Sequence, residues 1–171
     1  MRQKQQGTTL LEAVIYVAVL AVLFVVVIHT ALLATTAFGK SRVKRAIAAE
    51  GSTALSRILY EIRLAESVNV ADSMFGSNAG VLSLVTEISA DDPTPATRVF
   101  DIADGVVRLT EGGGLPTPLT GGTTATALSF YLLETGEVSQ AVRVMLTVES
   151  AYKTLSDART FYGTAVLRGG Y

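Results

Sequence analysis

Glu12 stands at the edge of 27 consecutive residues, Ala13 to Gly39, that include no Asp, Glu, Lys or Arg. A carboxylate carried unpaired to the centre of a bilayer costs up to about 2.5–3.5 kcal/mol, so a glutamate at the mouth of such a run needs a partner. It can snorkel to the headgroups, or pair with a helix terminus four residues away on the same face. His29, the only histidine, lies deep in the run. A lone intramembrane histidine is a functional hypothesis by default, but with no carboxylate near it we read it as bonding the backbone or facing another helix. With the only histidine in the apolar run and no cysteine in the chain, no thiol nucleophile, no serine with a histidine base and no zinc ligand set is expected. Asp91-Asp92, and Asp101 with Asp104, lack the spaced oxygen ligands of a calcium loop and read as solvated acids. Gly112-Gly113-Gly114 and Gly121-Gly122 lack the Lys-Ser/Thr of a phosphate loop and open no helix, so they read as loop glycines. No catalytic, cofactor or metal site is expected. The chain reads as a substrate of enzymes rather than an enzyme.

What must position Glu12 is the apolar run itself. As a helix it is about 40 Å long at roughly 1.5 Å per residue, enough to cross a hydrocarbon core of about 30 Å. The basic, polar stretch Met1-Arg-Gln-Lys-Gln-Gln6 precedes it directly. A secretory signal peptide places its small-residue cleavage site after the apolar region, whereas the small residue here, Gly7, comes before it.

The hexapeptide Gly7-Thr8-Thr9-Leu10-Leu11-Glu12 resembles the processing site of type IV prepilins and pseudopilins, differing from the usual form in Thr8 where Phe is customary. The resemblance implies that a membrane-embedded prepilin peptidase cuts between Gly7 and Thr8, that Thr8 becomes an N-methylated terminus, and that Glu12 of one subunit meets the new amine of its neighbour during assembly. Cutting there removes Arg2 and Lys4 and leaves 12 basic and 15 acidic residues, formally −3. The resemblance further implies other pilin or pseudopilin subunits, an inner-membrane assembly platform and membrane lipid as partners. A shorter likeness, Ala54-Leu55-Ser56-Arg57-Ile58-Leu59-Tyr60-Glu61-Ile62-Arg63, is similar to the same region of J-type minor pseudopilins and W-type minor pilins. The run holds no Pro, whereas many major pilins carry one, so a minor subunit is expected ahead of a major one. An uncleaved single-pass protein displaying a β-rich binding domain is the alternative from another class. Lys40, Arg42, Lys44 and Arg45 flank the far end of the run, and charge alone would hold that end in the cytoplasm. The resemblance implies the opposite orientation, single-pass in the cytoplasmic membrane with the head outside, and we follow it.

Beyond Gly39 a helical rhythm continues. Val43, Ile47, Gly51, Leu55, Ile58, Leu59 and Ile62 recur at three- and four-residue spacing, with Arg57 and Glu61 expected as an i,i+4 pair on the opposite, solvated face. A spine from about Thr8 to about Glu66 follows, with Gly51-Ser52 as a soft spot. After Val68 the period becomes two. Asp104-Gly105 between alternating segments predicts a two-residue hairpin that pairs Ile102 with Val107, Phe100 with Leu109 and Asp101 with Arg108. Further strands are expected at Val81 to Thr86, Ala127 to Leu133, Ala141 to Glu149 and Thr160 to Arg168, with loops at Ala90 to Thr97 and Gly112 to Thr126. The predicted fold is therefore α+β. Residues 1–7 form a leader, 8–39 a transmembrane or filament-core helix, 40–68 its amphipathic continuation, and 69–171 an antiparallel β-sheet head packed on that continuation.

Composition agrees with this division. At 49% hydrophobic and 17% charged, the chain is apolar for a soluble domain of its size. A formal net charge of −1 supplies no basic surplus for phosphate, so nucleic acid is not supported as a partner. Without cysteine, the head must hold by packing and hydrogen bonding alone.

Overall fold

The computed structural model describes residues 10–89, 92–135 and 139–167. The chain divides into two units, Met1–Ser41 and Arg42–Tyr171, and one helix, α1 (Leu10–Leu64, 55 residues), contributes to both. In the first unit α1 is rich in Val and Ile, which favour helix only weakly in water. In lipid that preference is overridden, because every backbone N–H and C=O must be satisfied within the segment. The helix is long and apolar enough to cross a membrane.

In the second unit α1 acquires a buried stripe. Val43, Ile47, Ala54, Ile58 and Ile62 are at most 3% exposed, and their three- and four-residue spacing puts them on one side of the helix. They cover two antiparallel sheets. The first has the order β1–β5: β1 (Ser67–Val68), β2 (Leu82–Ser89), β3 (Asp92–Ala103), β4 (Val106–Glu111) and β5 (Thr117–Pro118). The second comprises β6 (Thr124–Thr135), β7 (Ser139–Tyr152) and β8 (Leu155–Val166) in that order. Alternate residues of each sheet point at the helix: Leu82, Leu84, Phe100 and Val107 from the first, Leu128, Phe130, Val144 and Leu146 from the second, all fully buried. Each such side chain contributes roughly 1.5–3 kcal/mol by leaving water. The sheets are stitched across β6, where Gly76 N–H donates to Phe130 O (2.9 Å), Gly80 N–H to Leu128 O (2.7 Å) and Ala125 N–H to Gly105 O (2.7 Å). The fold is α+β, a long N-terminal helix packed on antiparallel sheet, as expected from the sequence.

The β3–β4 hairpin has the register read from the sequence. Ile102 faces Val107, Phe100 faces Leu109 and Asp101 faces Arg108. Asp104 (φ 53°) and Gly105 (φ 73°) form the turn, both in the left-handed region that a two-residue hairpin demands. Arg108 grips Asp101 in a fork, Nε to Oδ1 at 2.9 Å and Nη2 to Oδ2 at 2.5 Å, which pins the outer face as the apolar pairs pin the inner one.

Three expectations are corrected. The loop placed over Ala90 to Thr97 is largely strand, since β3 starts at Asp92 and Pro95 pairs with Glu87; Ala90 and Asp91 lie outside the described residues. The partner β4 ends where Arg98 meets Glu111, with a last bond from Gly112 N–H to Thr97 O, so before Thr97 the strand has an open side, and proline, which donates no hydrogen bond, is tolerated at an open edge. Gly112 to Thr126 is likewise not one loop, because β5 pairs with β4 and β6 starts at Thr124. Finally, Glu61 does not face solvent. It is 0% exposed and lies on the buried stripe.

Candidate functional site

Of the residues the sequence singles out, Gly7 and Thr8 lie outside the described residues. Glu12 is half-buried in the first turn of α1, and Tyr16, one turn on, donates its hydroxyl to Glu12 Oε1 at 3.1 Å. The i,i+4 spacing puts the phenol directly over the carboxylate. It is a neutral donor, and it holds the carboxylate along the helix surface.

The surface that follows Glu12 is exposed and apolar, with the Tyr16 hydroxyl and His29 as its polar exceptions. Every large hydrophobic side chain from Leu10 to Phe38 is exposed, between 47% for Ile28 and 85% for Leu10. The threonines in this stretch hide their polarity. Thr30 donates its hydroxyl to Val26 O, Thr35 to Leu32 O and Thr36 to Leu33 O, each at 2.8 Å. Such back-bonding satisfies the hydroxyl inside the helix and leaves only its methyl outward. A surface of this kind suits hydrocarbon or the similar surface of another helix; it offers little to water.

Of two charged constellations in the second unit, only the Arg57–Glu61 pair was legible in the sequence. In the first, the Glu50 carboxylate accepts four hydrogen bonds from one loop: Gly122 N–H to Oε1 at 2.9 Å, and Gly121 N–H (3.1 Å), Thr123 N–H (3.1 Å) and Thr123 Oγ1 (2.7 Å) to Oε2. Burial pushes this carboxyl up, but the Thr123 hydroxyl and the three backbone donors together outweigh it and hold Glu50 below its ordinary value. The glycines read as loop residues thus form a concave set of N–H groups, already filled by the chain's own side chain. In the second constellation, buried Glu61 lies between Arg57, 2.7 Å away, and Arg98 of β3. Glu111 lies opposite Arg98 in the β3–β4 ladder and approaches Arg57 at 3.5 Å. Both Glu61 oxygens lack an aligned hydrogen-bond donor, so charge rather than hydrogen-bond geometry compensates their burial. Beside them opens a groove of about 460 Å³, lined by Thr53, Ala54, Arg57, Leu109, Glu111, Thr117 and Leu119.

A signal for Glu61 was present in the spacing. Ala54, Ile58, Glu61 and Ala65 form one i+4, i+3, i+4 series, which puts the glutamate on the stripe; reading it as half of a surface pair ignored that position. Among the described residues no three His, Cys, Asp or Glu side chains converge on a common point. Comparison with protein-family models, curated proteins and solved structures found no match.

Proposed function

We propose that this chain is a structural subunit of a type IV pilus, competence or type II secretion-like filament, a minor pilin or pseudopilin cut between Gly7 and Thr8 by a prepilin peptidase. The observation that carries this reading is the double use of α1. Its apolar side chains are uncovered as far as Phe38, and from Val43 the same helix supplies the core of a β-rich head. A membrane anchor alone requires the first property. A filament whose subunits pack helix against helix and display heads requires both, and the Gly7 to Glu12 hexapeptide stands where such a subunit is released for assembly.

In this reading the apolar run holds the precursor in the cytoplasmic membrane, single-pass, with the head outside the cytoplasm. Other subunits and an assembly platform receive it after cleavage. The new amine at Thr8, methylated or free, meets Glu12 of a neighbouring subunit in an apolar surrounding, and pairing across subunits sets their register. Tyr16 donates to the same carboxylate from one turn on.

Mass spectrometry of the chain extracted from membranes of cells with an active prepilin peptidase tests the reading. A mature N-terminus at Thr8 is expected. A terminus at Met1 overturns it and leaves the uncleaved single-pass display protein. Protease digestion of the head in spheroplasts tests orientation in the same cells.

A further inference from the structure

We propose that the end of the head carrying the β7–β8 hairpin is a docking surface for anionic phospholipid headgroups. The inference rests on reading the charge-free run as a membrane span, and it adds what the head does while the span is in lipid. The hairpin turn Lys153-Thr154 projects between β7 and β8, with Lys153 in the left-handed region at φ 56°. Tyr152, 37% exposed, is stacked by two cations from different elements, Arg42 of α1 at 5.3 Å from the ring centroid and Lys153 at 5.5 Å. Lys44 lines a shallow cleft of about 250 Å³ with Asp157 and Arg159. Arg45, three residues after Arg42, is also exposed on the helix.

Four cations therefore gather at this end: Arg42 and Lys44 from the helix, Lys153 and Arg159 from the hairpin. Asp157 and Glu149 are the acids on the hairpin strands beside them, and Glu50, the next acid along α1, is bound up by the loop at Gly121 to Thr123. Arg42 and Lys153, drawn to the same tyrosine ring, repel one another, and an anionic surface facing them relieves that repulsion. The position along α1 says which surface. Arg42 follows the last residue of the charge-free run by three positions, within the short flank where basic residues meet headgroups if the run spans the bilayer. Tyrosine with lysine and arginine is the side-chain set that settles at that depth.

The test uses the full chain reconstituted into vesicles of phosphatidylcholine alone or with about 30% phosphatidylglycerol. The chain has no native cysteine, so Thr154→Cys at the hairpin tip and Leu115→Cys can each carry one environment-sensitive fluorophore. Leu115 is 91% exposed and follows Glu111, which meets Arg57, about 22 Å of helix rise beyond Arg42. Quenching by headgroup-spin-labelled lipid is expected at position 154 and not at 115, only with phosphatidylglycerol present, and it should vanish in about 0.5 M salt. Arg42→Gln and Lys153→Gln should each lower the headgroup-bound population about fivefold. Equal quenching at the two positions, or quenching in phosphatidylcholine alone, overturns the proposal. So does quenching that follows the protein-to-lipid ratio instead of phosphatidylglycerol content, which would assign the surface to a second copy of the chain. Failure of the chain to float with the vesicles overturns the membrane-span reading itself, and is seen before any quenching is measured.

Discussion

Replacing Gly51 by alanine opposes two local effects whose balance the structure decides. In an exposed helix interior, Gly→Ala adds about 0.5–1 kcal/mol of stability. At Gly51 the new Cβ would stand 2.2, 2.6 and 2.7 Å from Cε2, Cζ and Cδ2 of Phe161, where ordinary contact between carbons needs roughly 3.5–4 Å. Ring or helix must therefore move by more than about 1 Å. The ring is held in place. Phe161 lies opposite Leu146 in the β7–β8 ladder and Arg159 stacks over it at 5.2 Å. Overpacking of this kind costs about 1–3 kcal/mol, so the net effect of Gly51→Ala should be a loss of about 1–2 kcal/mol, or a fall in Tm of about 3–6 °C. The assay is a double-mutant cycle with Phe161→Ala, read by thermal unfolding of the full chain in mild detergent through the near-ultraviolet signal of its tyrosines. With the ring removed, Gly51→Ala should become stabilising by about 0.5–1 kcal/mol, giving a coupling of about 2 kcal/mol. A rise in Tm for Gly51→Ala alone, or an additive cycle, would refute the reasoning.

Other expectations follow from the charged constellations. Glu61→Gln should cost about 2–4 kcal/mol, because it removes the buried charge that Arg57 and Arg98 both face and leaves Arg98 only the more distant Glu111, at 4.0 Å. Arg57→Gln should cost less than about 1 kcal/mol, since that guanidinium is 44% exposed and screened; equal losses measured by denaturant unfolding would show that burial does not rank them. The Glu50 carboxyl sits below its ordinary value of 4.5 in the folded chain, so its stabilisation is present above that pH and is lost as pH falls through the lower, folded value. The Tm gap between wild type and Glu50→Gln should accordingly be wide near pH 7 and close towards pH 3, and a gap independent of pH would count against the loop clamp. Glu12→Ala should leave cleavage after Gly7 intact while lowering the amount of chain in sheared filaments several-fold. Normal incorporation would exclude the pairing of Glu12 with a neighbour's terminus.

Where a local rule was enough, the sequence was legible. Asp104-Gly105 specified a turn, the turn specified a register, and apolar alternation agreed with it, so the hairpin could be read pair by pair. The helix was legible because absence of charge marks the first unit and three- and four-residue spacing marks the second. What failed depended on partners distant in the chain. Pro95 is compatible with a strand only because β4 has already ended, and that depends on where the hairpin terminates. Glu61 resembled a surface acid until Arg98, 37 residues later, arrived from the sheet. Glu50 drew no reading at all, since nothing in Gly121-Gly122-Thr123 announces that its N–H groups converge on a helix residue 72 and 73 positions before Gly122 and Thr123. Both acids are ones that the fold compensates at long range.

The inward-turned hydroxyls of Thr30, Thr35 and Thr36 have a mechanical consequence. A rod that, Tyr16 and His29 aside, presents neighbours with almost no polar side chain between Ala13 and Gly39 can be drawn along them with few hydrogen bonds to break, at the cost of reseating one set of side chains in the next set of grooves. In the proposed filament, resistance to axial load would then be concentrated at the two ends of the run, at Glu12 and at the head. Between them the bundle would behave as a lubricated bearing, able to lengthen under tension and return while its subunits stay folded.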